Sequence, residues 1–262
     1  MQEQKMGEGI FRVLRFATLP STNEYAKRLA AEGAAQGTVI LADSQTAGHG
    51  RFDRPFVSPV GGLYASLILR PPYAPALTPL ITVAAAVAVA EAAEAITGVP
   101  LGIKWVNDVY SEKGKVSGIL TEAAFAEDGK GLAYAVLGFG INLYPWEEAS
   151  AQAGPAACLF SHLPDPEERE RTKEKLLAAV LTKFWEYYTA LPEKAFMAVY
   201  RGRSVLTGKT VSVFAPTDKA RAFPLYTATV LDIDEEGALL VRTAAGEEKR
   251  LTGGEVSLSL QA

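Results

Sequence analysis

Five short segments of this 262-residue chain carry polar and charged residues at spacings that could do chemistry on an anionic ligand. The run Ser44-Gln45-Thr46-Ala47-Gly48-His49-Gly50-Arg51-Phe52-Asp53-Arg54 sets two glycines beside Arg51 and Arg54. Glycine lets the backbone approach a ligand closely, and a guanidinium presents a fixed fork of donors to carboxylate or phosphate. A bound anion is expected there; a solvent-exposed hairpin loop with incidental arginines is the alternative. His49 could shuttle a proton or contact a ligand, although the sequence shows no partner for it. Ser21-Thr22-Asn23 offers two hydroxyls and an amide to a polar head group, while Ser21 to Glu24 also has the Ser-x-x-Glu form of a helix capping box. Lys104-Trp105-Val106-Asn107-Asp108 and Gly114-Lys115-Val116-Ser117-Gly118 put two lysines near the ends of neighbouring strands, where they could neutralise phosphate or carboxylate charge. Asn107 and Asp108 supply oxygen ligands suited to Mg²⁺, with a polar β-turn and a solvated Lys115 as the plainer reading. Gly138-Phe139-Gly140-Ile141-Asn142 marks either close backbone approach to a ligand or a bulge.

The elements that must position these residues follow from periodicity. Apolar residues around Phe11, Val13 and Leu14 predict a strand, and the capping box predicts a helix from Ser21 to about Gly33. Strands are expected at Thr38 to Ala42 and Leu63 to Leu69, flanking the Gly/Arg loop. Leu77 to Ile96 reads as a largely buried helix stopping before Gly98. A meander follows at Ile103 to Trp105, Val116 to Phe125 and Ala133 to Leu143, with turns at Asn107-Asp108 and Asp128-Gly129. After a charged segment from Pro166, residues Leu177, Val180, Leu181, Phe184 and Tyr188 recur at helical spacing between Leu176 and Leu191. From about Gly208 the pattern changes to short strands at Thr210 to Phe214, Tyr226 to Ile233, Ala238 to Arg242 and Lys249 to Thr252, which suggests a small barrel-like unit.

Composition narrows the function classes. Hydrophobic residues make up 48% and charged residues 21%, so a disordered or collagen-like chain is excluded. Lys plus Arg number 26 against 30 Asp plus Glu, a net charge of -4, the wrong sign for general binding to nucleic acid or anionic membrane. One cysteine, Cys158, has no internal disulfide partner, and with only two histidines a structural zinc cluster is not expected. The amino terminus carries charges and glycines where a secretory signal needs an apolar stretch, and the longest apolar run, from Leu80 to Glu91, falls short of a bilayer's thickness. A cytoplasmic location without a membrane span is expected.

In order and spacing the segments together resemble the biotin–protein ligase family. The family's Ser-Thr-Asn stands at Ser21 to Asn23, its Gln-Thr-Ala-Gly-x-Gly-Arg loop at Gln45 to Arg51, and its Lys-Trp-x-Asn-Asp at Lys104 to Asp108. Gly-Lys-x-x-Gly-Ile-Leu-x-Glu follows at Gly114 to Glu122, and Gly-x-Gly-Ile-Asn at Gly138 to Asn142. The resemblance implies an α+β fold: a mixed sheet with helices, like that of class II aminoacyl-tRNA synthetases, over residues 1–205, then a small SH3-like β-barrel over 206–262. It implies an enzyme that joins biotin to ATP as biotinyl-5′-AMP and transfers biotin to a lysine of a carboxylase's biotin carboxyl carrier protein. Lys115 and Arg51 would be catalytic. Ser21, Thr22, Asn23, Gln45, Gly48, His49, Gly50, Arg51, Lys115 and Gly118 would bind biotin; Arg51, Arg54, Lys104, Asn107, Asp108, Lys115 and Asn142 would bind ATP; and Asp108 would face Mg²⁺.

The family's better-known loop reads Gly-Arg-Gly-Arg-Arg-Gly-Arg-x-Trp, and here His49, Phe52, Asp53 and Phe56 replace the first Arg, the third Arg, the third Gly and the Trp. Retention of the intermediate is therefore expected to differ. Only twenty residues precede Ser21, too few for the helix-turn-helix of the regulatory members, so no DNA partner is expected, while a homodimer stays open. A lipoate or octanoyl transferase would share the fold but lack the Gln45 to Arg51 loop pattern. A non-catalytic biotin sensor would have lost Lys115 or Arg51, and both are present.

Overall fold

A computed structural model describes residues 2–146, 157–215, 223–252 and 255–258. In chain order it contains β1 (Gln2–Met6), β2 (Phe11–Leu19), α1 (Thr22–Ala31), β3 (Thr38–Gln45), β4 (Leu63–Leu69) and α2 (Thr78–Thr97). β5 (Gly102–Lys104), β6 (Asp108–Ser111), β7 (Gly114–Phe125), β8 (Leu132–Ile141), α3 (Pro166–Thr189) and α4 (Phe196–Gly202) follow. The last elements are β9 (Thr210–Phe214), β10 (Tyr226–Ile233), β11 (Leu239–Thr243), β12 (Glu248–Leu251) and β13 (Glu255–Leu258). The first eight strands form one sheet in the order β1-β2-β3-β4-β8-β7-β6-β5, antiparallel except for the parallel pair β2 and β3. The other five form a small antiparallel sheet, β12-β11-β10-β9-β13. This is the expected α+β architecture with a small β unit at its end.

Successive strand residues point to opposite faces, and that alternation separates two layers. On β3, β4 and β8 the odd positions, among them Val39, Leu41, Leu67, Leu69, Leu137 and Ile141, join the large core with α2 and α3. The even positions Ile40, Ala42, Ile68 and Val136 meet α1 on the other side. Every residue of β4 is buried, so its sequence is a continuous apolar run broken only by Ser66, as a strand covered on both faces requires. At β8 the even positions 138 and 140 are glycines opposite Ser66 and Tyr64, which hollows the α1 face at the level of the α1 amino terminus.

Several elements depart from expectation. α3 starts at Pro166 rather than Leu176, capped by Asp165, whose side chain accepts from the Glu168 N–H at 2.9 Å. Its charged first turns have no apolar period to read, but they bind across the fold: Arg15 bridges Glu170 and Glu174, and buried Lys173 reaches Asp43 at 2.6 Å. Asp108 opens a strand, and the turn lies just before it. β1, β6, α4 and β13 were not expected. α2 lies within one residue of the expected Leu77 to Ile96, but whereas the apolar run from Leu80 to Glu91 falls short of a bilayer, the helical segment Pro75–Thr97 is by length and composition able to cross one. It is instead sheathed by α3, α4 and the sheet, and beyond the run Tyr187 donates to Glu91 and Arg203 pairs with Glu94.

The two sheets meet at the β10–β11 turn. Trp105 Nε1 donates to the Gly237 carbonyl at 2.8 Å, and Gly237 takes φ +79° beside Leu80 and Val83 of α2. Asp234 shapes this turn by accepting from the backbone N–H of Ala238 (2.8 Å) and Glu236 (3.0 Å) while binding Arg250. Burial opposes ionisation of Asp234, but Arg250 and those two N–H groups outweigh it and hold the carboxyl below its ordinary range. Asp234→Ala should therefore cost about 1–2 kcal/mol at neutral pH. A lowered carboxyl contributes stability above its unfolded pKa, near 3.9, and loses it as pH falls through the folded value. Urea unfolding should show the gap between parent and variant narrowing as pH falls below about 5. A gap that does not change with pH would detach Asp234's charge from the turn's stability.

Candidate active site

A cavity of about 210 Å³ opens on the α1 face of the large sheet, over β7 and β8. One wall is the α1 amino terminus. Ser21 is the N-cap, its Oγ accepting from the Glu24 N–H at 3.4 Å, so it does serve as a cap. Thr22 and Asn23, both buried, turn toward the sheet. Gln45 closes β3 beside them, its Oε1 accepting from the Thr22 N–H (2.8 Å) and lying 3.0 Å from Thr22 Oγ1. Gln45 Nε2 donates to Ser58 Oγ, which donates to the Phe56 carbonyl, both at 2.9 Å.

The floor is largely backbone. A Cβ on Gly138 would lie 2.0 Å from Asn23 Oδ1, and one on Gly140 would lie 2.4 Å from the Phe56 ring. Phe56 thus rests on the glycine floor. Lys115 extends over Gly118, where a Cβ would come within 3.1 Å of Nζ; the ammonium lies 2.6 Å from Asp108 Oδ1 and 5.9 Å from the Phe56 ring centroid. Lys104, Asn107 and Asp108 line the other end. Asn107 Nδ2 donates to the Ile119 carbonyl at 2.7 Å, and the Asn107 carbonyl accepts from the Ile119 N–H at 3.0 Å, so this side chain also pins the turn to β7.

The loop supplies His49, Gly50, Arg51, Arg54, Pro55 and Phe56 to the lining. Arg51 lies over the Phe52 ring, 5.0 Å from its centroid. Phe52 and Asp53 hold φ of +59° and +56°. Asp53 stands where the better-known loop has its third Gly, and it keeps the left-handed conformation that glycine adopts without penalty. His49 Nε2 lies 3.6 Å from Glu24 and 3.8 Å from Glu122, the partners its sequence context did not reveal. Glu24, His49 and Glu122 each bring one potential metal ligand within 4.8 Å of the others. Lys27 Nζ, 2.6 Å from Glu24 and 2.8 Å from Glu122, already supplies those carboxylates with a positive charge.

The cavity thus gathers Ser21, Thr22, Asn23, Gln45, His49, Gly50, Arg51, Arg54, Lys104, Asn107, Asp108, Lys115 and Gly118. Gly48 and Asn142 lie outside its lining. Gly48 makes room for the loop: a Cβ there would meet the Phe56 carbonyl at 2.6 Å and Ser58 Oγ at 2.8 Å. Asn142 is buried behind Lys115 and donates from Nδ2 to the Ala157 carbonyl at 3.0 Å. Ser66, Ser58 and Glu122 take part in the polar wall without having been singled out as site residues. An isolated serine in the apolar run of β4 was the available signal for Ser66. The arrangement is one cavity with a polar wall of hydroxyls and amides and, around Lys115, further cations and a carboxylate, which suits uniting two anionic substrates.

A sequence model of the Biotin/lipoate A/B protein ligase family matches residues 15–142, and one of the Biotin protein ligase C terminal domain matches residues 224–259. The chain is 32% identical over 234 residues to the bifunctional ligase/repressor BirA of Bacillus subtilis, covering 88% of this chain and 69% of that protein. It is 30% identical to a biotin--[acetyl-CoA-carboxylase] ligase of Paracoccus denitrificans, covering 88% of this chain and 95% of that one. Among solved structures, the biotin protein ligase from Aquifex aeolicus in complex with biotin and ATP superposes with a TM-score of 0.72 at 28% identity, covering 94% of this chain and 97% of that chain.

Proposed function

The chain belongs to the biotin/lipoate A/B protein ligase family as one of its biotin protein ligases, and from that premise we propose how its residues divide the work. The enzyme activates biotin with ATP, giving biotinyl-5′-AMP and pyrophosphate, and transfers biotin to a lysine of a carboxylase's biotin carboxyl carrier protein. The observation that carries the assignment of roles is the position of Lys115, with the polar head pocket on one side and Asp108 and Lys104 on the other. Ser21, Thr22, Asn23 and Gln45 hydrogen-bond the biotin head group, and the ring of Phe56 covers its apolar body. Lys115 meets the biotin carboxylate and the α-phosphate. Arg51, Arg54, Lys104 and Asn107 hold the nucleotide; Asn142 acts behind the site by tying down the strand that carries Lys115.

Mg²⁺ would arrive with the phosphates of ATP, and Asp108, a hard oxygen donor in the lining, is the residue suited to face it and balance its charge. No nucleophilic side chain is needed: a biotin carboxylate oxygen attacks the α-phosphorus, and pyrophosphate leaves. We assign both substrate sites to residues 1–205 and a bracing role to 206–262, supported by the hydrogen bond from Trp105 to Gly237 beside Lys104. A cytoplasmic location accords with the single cysteine. Incubating the protein with biotin, ATP and Mg²⁺ should yield biotinyl-adenylate by mass spectrometry, and lipoate in place of biotin should yield little acyl-adenylate. Preference for lipoate would reverse the substrate assignment.

Arg51 is expected to contribute more to keeping the adenylate than to making it, since it lies in a loop flanked by glycines that can fold over the intermediate. Losing one charge-assisted contact should speed release of the adenylate roughly ten- to a hundredfold. Released adenylate acylates exposed lysines, so Arg51→Gly should biotinylate bystander albumin while the parent labels its carrier. A variant that makes adenylate yet labels albumin no faster would move retention to Arg54 or elsewhere in the loop.

A further inference from the structure

Glu122 touches no reacting group in the scheme above, yet it ends a polar chain that runs from β7 into the buried middle of β4. It lies on β7, on the same face as Gly118, and its two carboxylate oxygens are both engaged: Oε2 accepts from Asn23 Nδ2 at 2.9 Å and Oε1 from Lys27 Nζ at 2.8 Å. On the far side of Asn23, Oδ1 lies 2.6 Å from Ser66 Oγ, and Ser66 Oγ lies 2.8 Å from Thr22 Oγ1. Ser66 is completely buried in the middle of β4, so its hydroxyl has no solvent to turn to.

An ionised carboxylate only accepts, so Glu122 obliges Asn23 to present its NH₂ to β7 and its carbonyl to Ser66. Ser66 has one proton, and it must go to Asn23 Oδ1, which cannot donate. The Thr22 hydroxyl gives its own single proton to Gln45 Oε1 at 3.0 Å, so the direction of the Ser66 hydroxyl is fixed by Asn23 and not by Thr22. At the other end the Thr22 N–H already donates to Gln45 Oε1, which turns Gln45 Nε2 toward Ser58. We propose that Glu122 is a positioning residue that sets, through Asn23 and Ser66, which atoms of the head pocket donate and which accept. This rests on the reading that Thr22, Asn23 and Gln45 receive the biotin head group. The ureido ring of biotin carries one acceptor between two donors, so a pocket with inverted polarity would face it donor to donor.

The charge on Glu122 is itself secured. Burial opposes its ionisation, but hydrogen bonds from Lys27 and Asn23, with the nearby Lys27 and His49, outweigh that and hold the carboxyl below its usual range. Glutamine at this position has nearly the same shape and can donate, which frees Asn23 to turn over; its NH₂ would then face Ser66, whose hydroxyl would lose its acceptor there.

The test compares biotin and ATP affinities of the full chain by titration calorimetry for the parent, Glu122→Gln, Thr22→Val and the double variant Asn23→Asp/Glu122→Gln. Glu122→Gln should weaken biotin binding about tenfold with ATP affinity unchanged. An aspartate at 23 can accept from both the glutamine and Ser66, so the double variant should recover most of the biotin affinity, which a merely structural role for Glu122 would not allow. Parent-like biotin binding by Glu122→Gln, or loss in that variant without recovery in the double one, would overturn the inference. Thr22→Val separates the two layers: if it binds biotin as the parent does, the head-pocket reading falls and takes the inference with it. If it loses affinity while Glu122→Gln does not, the pocket stands and only the role of Glu122 falls.

Discussion

Replacing Lys115 by alanine is expected to slow biotinyl-adenylate formation by about 10²–10³ while the fold survives. The chemical step brings a carboxylate against an α-phosphate, so two like charges must be held in contact while charge builds on the phosphoryl oxygens. Lys115 is placed for that task. Its ammonium crosses the Gly118 floor, lies 2.6 Å from Asp108 and is 31% exposed, open to the cavity rather than sealed in the core. Removing it leaves Asp108 without that partner and adds one more negative charge facing the reactants. Lys115→Arg should restore only part of the rate, because a planar fork cannot repeat the single-point contact of an ammonium over a glycine. Single-turnover adenylation would read the rate and circular dichroism the fold. A folded alanine variant with near-parental rate would remove Lys115 from the chemistry.

Gly138→Ala is expected to weaken biotin binding about a hundredfold with ATP affinity little changed. The added Cβ would lie 2.0 Å from Asn23 Oδ1 and 2.8 Å from its Cγ, far inside contact distance. Asn23 cannot swing aside without giving up both its bond to Glu122, which is part-buried, and that from Ser66, which is buried. Gly140→Ala offers a graded control. Its Cβ meets the Phe56 ring at 2.4 Å, but that ring is carried by the loop and can shift as a unit. Calorimetry with biotin alone should therefore rank the parent above Gly140→Ala and Gly140→Ala above Gly138→Ala. The reverse order would mean that Asn23 yields more easily than Phe56, and that the α1 wall is not the fixed side of the pocket.

Much of the frame was legible in local pattern. The capping box at Ser21, the β-branched run of β3, the apolar run of β4 and the Gly98 stop of α2 each express a preference that a few residues satisfy among themselves. The elements that escaped lack such a signal. β1 is a polar edge strand held by pairing with β2, as in the pair formed by Glu3 and Arg12. β6 is four residues long and starts within a sequence that suits a turn. The first two turns of α3 are almost wholly charged, so no apolar stripe betrays them, and what orders them is Arg15 on β2 and Asp43 on β3.

By itself the sequence determined the chemical inventory of this protein: the ordered motifs with their cations, amides and glycines, and the periodicities that place each on a helix start, a strand or a loop. Only the tertiary structure decided that Asn23 faces Glu122, 99 residues away, that Ser66 joins Thr22 to Asn23, and that Phe56 lies on Gly140. It also decided which of the motif residues line the cavity and which, like Asn142, brace it from behind. The physical reason is that side-chain alternation fixes the face a strand residue occupies, whereas its neighbours on that face depend on strand order. In the order β3-β4-β8-β7 the pocket draws on strands remote in sequence, and the orientation of Asn23 in it is set by a carboxylate whose charge no local pattern encodes.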